Sequence, residues 1–439
     1  MVLPPPCLEA SFETFLKELP EDCLEMARTF KAFARGRKVR TPAELLQLVM
    51  LYRGLDAALR EAAGDFALLR ERITDTAVRK RLLACGPWLK ALLRRMMPGL
   101  AAPAVAFRLL AVDSTAPDGV APDGVAFRVH LVPGLAGLTL HEAHVAGVEE
   151  AESLDRHPFV AGDVVLAGPG YNHPASILGL ADRQIRVVVR INPVAMPLYR
   201  RQEGEAAFGP DRPKLDLAGH LRGVEGGQAS LAVWLRGGRR AGPGWVHALR
   251  LPPEAAEAAR RRCRQNAQRK GRTPGADTLY LAGWVLVFTT VPPGELCADG
   301  VPELYRARWQ AELMFKRLRS LLDLDAPRTR PKSPPGEVWV QGKLLYAVVI
   351  EKRLGHWLGP GWRRMDKPRE ATPWRFLGMV RGEVDAWILE AHRRRPENWP
   401  AAFGVVKERP RRRKLQTLPA QVVRLMDAYQ TQGATSLAA

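Results

Sequence analysis

The chain has 439 residues, a formal net charge of +20 and a sequence pI of about 10.2. This length predicts two or three domains, and the charge excess excludes an ordinary metabolic enzyme and indicates a polyanionic partner. A membrane is not the expected partner, because no apolar run is long enough to span a bilayer and the first residues lack a signal pattern. Five widely spaced cysteines without a CxxC pair indicate small buried side chains in a reducing cytoplasm, not zinc ligands or disulfides.

The N-terminal segment, from residue 11 to about 97, is predicted to be helical. Its second half predicts a helix, a break near Gly64 and Asp65, and two further helices. Arg79 and Lys80 lie early in the last of these, so the unit resembles a helix-turn-helix with cations placed for phosphate or groove contacts. A plain helical bundle with solvated charges explains the pattern equally well.

A change of period at about residue 104 predicts a mixed α/β segment. AFRLLAVD, VAFRVHLV and GLTLHEAHV are short, β-rich and separated by turn residues, so each predicts a strand. VVLAG, HPASILGLADR and IRVVVRI then predict a strand, a helix and a buried strand. The tandem repeat APDGVAPDGV predicts a lengthened turn between the first two strands. This order of elements predicts the α/β class, with α and β parts mixed.

Residues 193 to about 300 interrupt that layout with β-rich stretches and a basic helix from Glu254 to Lys270. The cations singled out in this helix are Arg260, Arg261, Arg262, Arg264 and Lys270. The strand GWVLVFTTVP ends the insertion, and a helix at 337–358 and the basic tail KERPRRRKLQ follow later. Charge runs are often only solvated, but on so basic a chain we expect both runs to bind nucleic acid.

The segment YRARWQAELMFKRLR, which begins at Tyr305, is predicted to form one helix. On that helix Tyr305, Arg308, Glu312 and Arg319 share one narrow stripe at the edge of a core-facing surface. A carboxylate flanked by cations is what a metal-and-phosphate site needs. The alternative is a solvated surface on which Glu312 and Lys316 form an ordinary i,i+4 pair.

Asp113 follows the apolar strand 109–112, which makes it a second candidate. Ligand sites in open α/β sheets lie at the carboxyl ends of strands, although aspartate also simply begins turns. Asp113 and Glu312 would then share Mg²⁺, and two such ions about 3.5–4 Å apart would activate a water or a 3′-hydroxyl against a phosphodiester.

The pattern Y-x₂-R-x₃-E-x₆-K/R resembles the YREK signature of the bacterial insertion-sequence-four family of DDE transposases. AVDST, VVLAGPGY and GWVLVFTTVP agree with other blocks of that family in order, and the resemblance covers roughly residues 40 to 415. It implies a ribonuclease-H-like catalytic domain that is interrupted by a β-rich insertion. The predicted division is a helical DNA-binding domain (1–100), the first part of the core (101–192), the insertion (193–300), the signature helix (301–325) and a helical C-terminal region with a basic tail (326–439).

The resemblance assigns roles to individual residues. Asp113 matches the first catalytic aspartate and Glu312 the catalytic glutamate, and both would hold Mg²⁺ or Mn²⁺ in a two-metal site. Tyr305 and Arg308 match a phosphate-contacting pair. Arg319 stands where the family usually has lysine, so its phosphate contact would be re-aimed rather than lost.

Trp284 matches a tryptophan that stacks on a flipped base, which is worth roughly 1–3 kcal/mol per base. A core aromatic in an apolar strand explains Trp284 equally well.

One position departs from the family pattern. Where the second metal-binding aspartate is expected in V-L-A-D-R-G-Y, this chain has Gly168, followed by Pro169 in place of arginine. Asp163 and Asp182 are the nearest substitutes in sequence, and both are predicted to lie too far away. The chain is therefore predicted to bind catalytic metal poorly and to be impaired in cleavage.

The family implies cut-and-paste transposition by strand nicking, a hairpin intermediate and strand transfer. The expected partners are double-stranded DNA, as terminal inverted repeats and target DNA, and a second copy of the chain in a homodimeric synaptic complex. The expected location is the bacterial cytoplasm at the nucleoid. A catalytically inactive DNA-binding derivative and another ribonuclease-H-like nuclease, such as a resolvase, remain alternatives, because fold does not fix function.

Overall fold

The computed structural model describes residues 10–97, 108–115, 127–135, 139–147, 150–192, 196–202, 205–209, 211–322, 334–359 and 373–406. The tandem repeat APDGVAPDGV and the tail KERPRRRKLQ lie outside these residues. Helices and one large mixed sheet alternate along the chain, which confirms the α/β class. None of the helices in the described ranges is long and apolar enough to cross a membrane.

The N-terminal segment is helical, as predicted. Its helices are α1 Phe12–Lys17, α2 Cys23–Thr29, α3 Pro42–Arg53, α4 Leu59–Leu69, α5 Asp75–Leu82 and α6 Gly86–Met96. The predicted break near Gly64 and Asp65 is wrong, because α4 runs through both residues. Gly64 is buried, so packing outweighs the helix cost of a glycine, about 1 kcal/mol. Arg79 and Lys80 lie in the last turn of the short α5, not early in the helix.

All the strands of the described residues form one sheet in the order β3-β2-β1-β4-β5-β9-β8-β7-β6. They are β1 Leu109–Thr115, β2 Phe127–Gly134, β3 Thr139–Gly147, β4 Val164–Ala167, β5 Arg186–Arg190, β6 Leu198–Arg200, β7 Gln228–Gly237, β8 Arg240–Arg250 and β9 Trp284–Thr289. The pairs β1–β4 and β4–β5 are parallel and the other pairs are antiparallel. The predicted insertion therefore extends the central sheet, because β9 pairs with both β5 and β8.

The two faces of this sheet bury different layers. Leu110 and Val112 of β1 face a core that includes α7 Pro174–Asp182 and α8 Leu217–Arg222. Ala111 of β1 and Leu166 of β4 face the other way, towards α11 Gly300–Arg306 and α12 Trp309–Leu322. This alternation follows from the pleat of the strands, and it places every second residue of β1 and β4 under α11 and α12.

The remaining helices are α9 Pro253–Arg269, α10 Ala276–Leu281, α13 Pro334–Leu358, α14 Pro373–Leu389 and α15 Trp399–Val406. α13 and α14 share one hydrophobic core with the N-terminal helices, and α15 contacts α4. Buried Glu390, just after α14, accepts hydrogen bonds from Gln47 Nε2 (2.9 Å) and Arg70 Nη2 (3.0 Å). Charged and polar contacts therefore join the N-terminal helices to the segment after α14, in addition to apolar burial.

The cysteines only partly match the prediction. Cys23 and Cys85 are buried, but Cys263 is half-buried and Cys297 is exposed. Cys7 lies outside the described residues.

Candidate active site

The signature segment is not one continuous helix, so that prediction is wrong. α11 ends at Arg306 and α12 begins at Trp309. Between them the amides of Ala307 and Arg308 bond to carbonyls three residues back, and so does the amide of Ala311. This geometry turns each residue by about 120° instead of 100°, so over four residues the predicted stripe is rotated by about 80°. Tyr305 consequently faces the sheet, whereas Glu312 faces outwards.

Asp113 and Gly168 lie at the point where β1 and β4 part. The last residues that pair between these strands are Val112 and Ala167, and each candidate position comes directly afterwards. Asp113 does not end its strand, because β1 continues to Thr115 beside β2. Both positions share the face that lies under α11 and α12, as the pleat requires.

Arg308 joins the two predicted catalytic carboxylates. Its Nη1 donates to Asp113 Oδ2 over 2.9 Å, and its Nη2 donates to Glu312 Oε1. The side chains of Arg308 and Asp113 are 14% and 22% exposed, whereas that of Glu312 is 46% exposed and forms the rim. Burial raises the pKa of the Asp113 carboxyl, and the Arg308 guanidinium opposes that rise. We call these three residues the strand-end centre.

Tyr305 lies beneath this centre rather than on its surface. The Arg308 guanidinium carbon stands 5.5 Å from the Tyr305 ring centroid, which is a cation–π distance. Tyr305 is buried, and burial raises the pKa of its phenol. Its geometry therefore suits support of Arg308 better than direct contact with a phosphate.

Gly168 leaves open space beside the guanidinium. A Cβ atom there would meet Arg308 Nη1 at 3.8 Å, which is an ordinary contact. The backbone of Gly168 is extended (φ −74°, ψ 171°), so any residue can adopt its conformation. The position therefore faces the strand-end centre, as the family pattern implies, but it supplies no carboxylate.

Neither of the two candidate substitutes reaches the centre. Asp163 precedes β4 and so lies at the opposite end of that strand from Gly168. It is buried and accepts two 2.7 Å hydrogen bonds from Arg108. Asp182 ends α7 and pairs with Arg240 of β8. Both carboxylates have partners outside the strand-end centre.

Glu152 is a third acid close to Asp113, and no sequence motif signals it. It accepts hydrogen bonds from Ser114 Oγ and from Arg128 Nη1 (2.9 Å). Gly170 makes room for it, because a side chain there would overlap the Glu152 carboxylate. Ser114 follows Asp113 and points to the opposite face of β1, so Glu152 lies on the far side of the sheet from Arg308.

These residues do not fit a two-metal site as they stand. Asp113 and Glu312 offer the oxygen atoms that Mg²⁺ and Mn²⁺ prefer, but both already bond to Arg308. Gly168 adds no oxygen ligand from its side chain. Within the part of the chain that the structure describes, no group of three or more His, Cys, Asp or Glu side chains is arranged to hold a metal ion.

The basic helix is present as predicted, and most of its predicted cations are exposed. Arg261, Arg262, Arg264 and Lys270 are exposed, and Arg260 is half-buried. Glu257, one turn earlier, pairs with Arg260 (3.5 Å) and Arg264 (3.1 Å) and partly neutralises the helix. The term basic face of α9 denotes the four exposed predicted cations Arg261, Arg262, Arg264 and Lys270, which are distributed around the helix and its C-cap.

A cavity of about 570 Å³ lies between α9, α10 and the beginning of β9. Its lining includes Arg262 of the basic face, Arg190 at the end of β5, and Trp284. The positive charge of Arg190 opposes the rise in the pKa of the Tyr305 phenol.

Trp284 is only 4% exposed, although it lines this cavity. The Arg250 guanidinium carbon lies 4.7 Å from its ring centroid, and the Tyr280 ring packs 6.4 Å away. This packing favours the alternative of a core aromatic over an indole that is free to stack on a base.

The remaining predicted contacts lie on the surface. Lys316 is exposed and Arg319 is half-buried on α12, where both share the face of Glu312 because of their spacing. Arg79 and Lys80 are exposed on α5. The structure thus brings together Asp113, Arg308 and Glu312, whereas Arg79 and Lys80 lie on a different element, α5.

Comparison with known proteins gives two informative relatives. The chain is 32% identical over 345 residues to the putative transposase InsL for insertion sequence element IS186A of Escherichia coli (strain K12), a match that covers 76% of this chain and 90% of that protein. It is likewise 32% identical over 346 residues to the transposase for insertion sequence element IS421 of Escherichia coli, with the same coverage. No family model matches the chain.

Proposed function

Because the chain belongs to the family of insertion-sequence transposases, we propose that it binds the ends of a mobile element, as double-stranded DNA with terminal inverted repeats. The basic face of α9 and the strand-end centre would contact the phosphate backbone. We assign the chain to the insertion-sequence-four group, with a ribonuclease-H-like catalytic domain. The order β3-β2-β1-β4-β5, in which β1, β4 and β5 are parallel, supports that assignment.

One observation carries the proposal. Three side chains converge at the end of the parallel strands: Asp113 of β1, Arg308 of the α11–α12 junction and Glu312 of α12. Asp113 and Arg308 are 195 positions apart in the sequence. Two carboxylates and a guanidinium at a strand end, beside an exposed basic helix, suit a phosphodiester. Because the acid expected at position 168 is missing, strand cleavage and strand transfer by this chain are proposed to be impaired.

The wider transposition reaction follows from the family proposal. The chain would act as a homodimer that holds two element ends, at the bacterial nucleoid, with a hairpin intermediate before transfer to target DNA. A catalytically inactive DNA-binding derivative is the second candidate, and Gly168 is the specific observation that favours it. Both candidates predict tight, salt-dependent binding to DNA, and they differ in metal-dependent cleavage.

DNA affinity as a function of salt tests the binding proposal. Each phosphate contact that is lost lowers the slope of log K against log salt by about 0.9. We therefore expect the double variant Arg261→Gln/Arg262→Gln to lower the slope by about 1.8, measured by fluorescence anisotropy on duplex DNA. Arg236→Gln/Arg239→Gln, which removes two exposed arginines at the end of β7 and in the following turn, is the matched charge control and should change the slope less. Equal slopes for the double variant and the unaltered chain would exclude the basic face of α9 from the interface.

A further inference from the structure

Arg308 occupies the position that a cation shared by Asp113 and Glu312 would need. Its two terminal nitrogens bond to one oxygen of each carboxylate. Each carboxylate keeps a second oxygen, but a divalent cation that the two carboxylates share would lie close to the positive guanidinium, which repels it. Close binding of the metal and the present position of Arg308 therefore oppose each other.

From this geometry we infer that Arg308 competes with divalent cations for the two carboxylates of the strand-end centre. A DNA phosphate that forms hydrogen bonds with Arg308 would break its bonds to Asp113 and Glu312 and free both carboxylates. The inference rests on the proposed function, because it describes how DNA would regulate the same centre. It concerns the affinity of the centre for metal and assigns no step of the reaction.

The surroundings of Arg308 allow the exchange of partners. Glu312 is 46% exposed, so the bond between Arg308 and Glu312 lies at the rim, where an incoming phosphate has access. Arg308 belongs to the junction between α11 and α12 and to neither helix. A guanidinium pairs with phosphate through two parallel hydrogen bonds, which can replace the two it would give up.

The competition makes DNA and metal binding interdependent. If DNA removes the competitor, the affinity for metal rises. By thermodynamic reciprocity, metal then raises the affinity for DNA by the same factor. Binding of the two ligands to independent sites would leave both affinities unchanged.

The test is a titration of the full chain with MnCl₂, in which free Mn²⁺ is measured by electron paramagnetic resonance, with and without a short DNA duplex at low salt. We expect Arg308→Gln to raise the Mn²⁺ affinity about tenfold without DNA, which is about 1.4 kcal/mol. DNA should raise the affinity of the unaltered chain and have a smaller effect on Arg308→Gln. Asp113→Asn should remove the binding and so identifies the site that is measured.

Arg306→Gln is the matched control. Arg306 lies two residues away, is exposed and pairs with Glu303 within α11 at 3.2 Å, so its loss should leave the Mn²⁺ affinity unchanged. The inference is overturned if Arg308→Gln binds Mn²⁺ no better than the unaltered chain, or if Arg306→Gln raises the affinity as much. It is also overturned if DNA acts equally on the unaltered chain and on Arg308→Gln.

Two further measurements keep these outcomes distinct. Thermal unfolding shows whether Arg308→Gln folds. If this variant does not fold, Arg308→Lys is used in its place, because lysine has one terminal nitrogen and cannot bridge two carboxylates with separate nitrogens. Arg308→Lys should raise the Mn²⁺ affinity by less than tenfold, and an unchanged affinity overturns the inference. If no variant binds DNA, the proposed function fails, whereas the DNA-free titration still decides the competition.

Discussion

Restoring a carboxylate at position 168 is the most direct test of the centre. The substitution Gly168→Asp adds a side chain where the nearest atom to a Cβ is Arg308 Nη1, at 3.8 Å. The extended backbone accepts aspartate without strain. The new carboxylate would lie within hydrogen-bond reach of the guanidinium and on the same face as Asp113. We expect the free energy of unfolding to change by less than about 1 kcal/mol.

The effect on metal affinity follows from the charges. Two unit charges about 4 Å apart attract by about 4 kcal/mol at an effective dielectric constant of 20, and a divalent cation doubles this to about 8 kcal/mol. Desolvation of the new carboxylate and its pairing with Arg308 offset most of that gain. A net gain of at least tenfold in Mn²⁺ affinity, about 1.4 kcal/mol, is the expected result.

The assay is cleavage of end-labelled duplex DNA with Mg²⁺ or Mn²⁺, together with the Mn²⁺ titration. Gly168→Asn is the matched control, because asparagine has nearly the shape of aspartate without its charge, and it should behave like the unaltered chain. Robust cleavage by the unaltered chain would refute the reasoning. Equal metal affinities of Gly168→Asp and Gly168→Asn would refute it as well.

Three further predictions concern stability and reactivity. His130 is buried, and burial lowers its imidazole pKa to about 3. In the unfolded chain the pKa of this imidazole is about 6.5, so the free energy of unfolding falls as the pH drops below 6.5, by about 2 kcal/mol at pH 5. His130→Gln should reduce this loss, which urea titrations at pH 7 and pH 5 measure. Trp284→Ala should lower the free energy of unfolding by about 3–5 kcal/mol, since the indole is packed, whereas a role confined to base stacking leaves it unchanged. A thiol reagent should modify exposed Cys297 in the folded chain and spare Cys85, whose thiol pKa burial raises to about 12; early reaction of Cys85 would contradict its placement.

The local elements could be predicted because their signals are local. Alternating and continuous apolar runs identified β1, β4 and β5, and the helical period identified α3, α7 and α13. The wrong break at Gly64 arises from contacts between distant segments, because burial holds Gly64 inside α4. The pairing of β9 with β5, through which the insertion extends the central sheet, also joins segments that are far apart in the chain. Periodicity along the chain carries no information about such pairings.

The candidate site was predictable in its residue types but not in its contacts. The end of an apolar strand singled out Asp113, the helical stripe singled out Glu312, and the resemblance to the family blocks singled out the glycine at 168. A helical wheel assumes a turn of 100° per residue, so it cannot show that the backbone adopts the tighter three-residue turn around Arg308. That turn places Tyr305 and Glu312 on different sides of the helix axis. The burial of tryptophan 284 depends on partners from other strands and helices, so composition left it undecided.

Electrostatics links the glycine at position 168 to the position of Arg308. Asp113, Arg308 and Glu312 carry a net charge of −1, so one guanidinium neutralises half of the negative charge and satisfies both carboxylates. A third carboxylate at position 168 would leave a net charge of −2, which a single guanidinium cannot balance and a divalent cation can. A glycine at position 168 therefore favours arginine over a metal ion at the centre, and an aspartate there would favour the metal ion. Among the described residues beyond the two chain neighbours, the nearest atom to a Cβ at position 168 lies 3.8 Å away, so a single substitution is enough to test this shift.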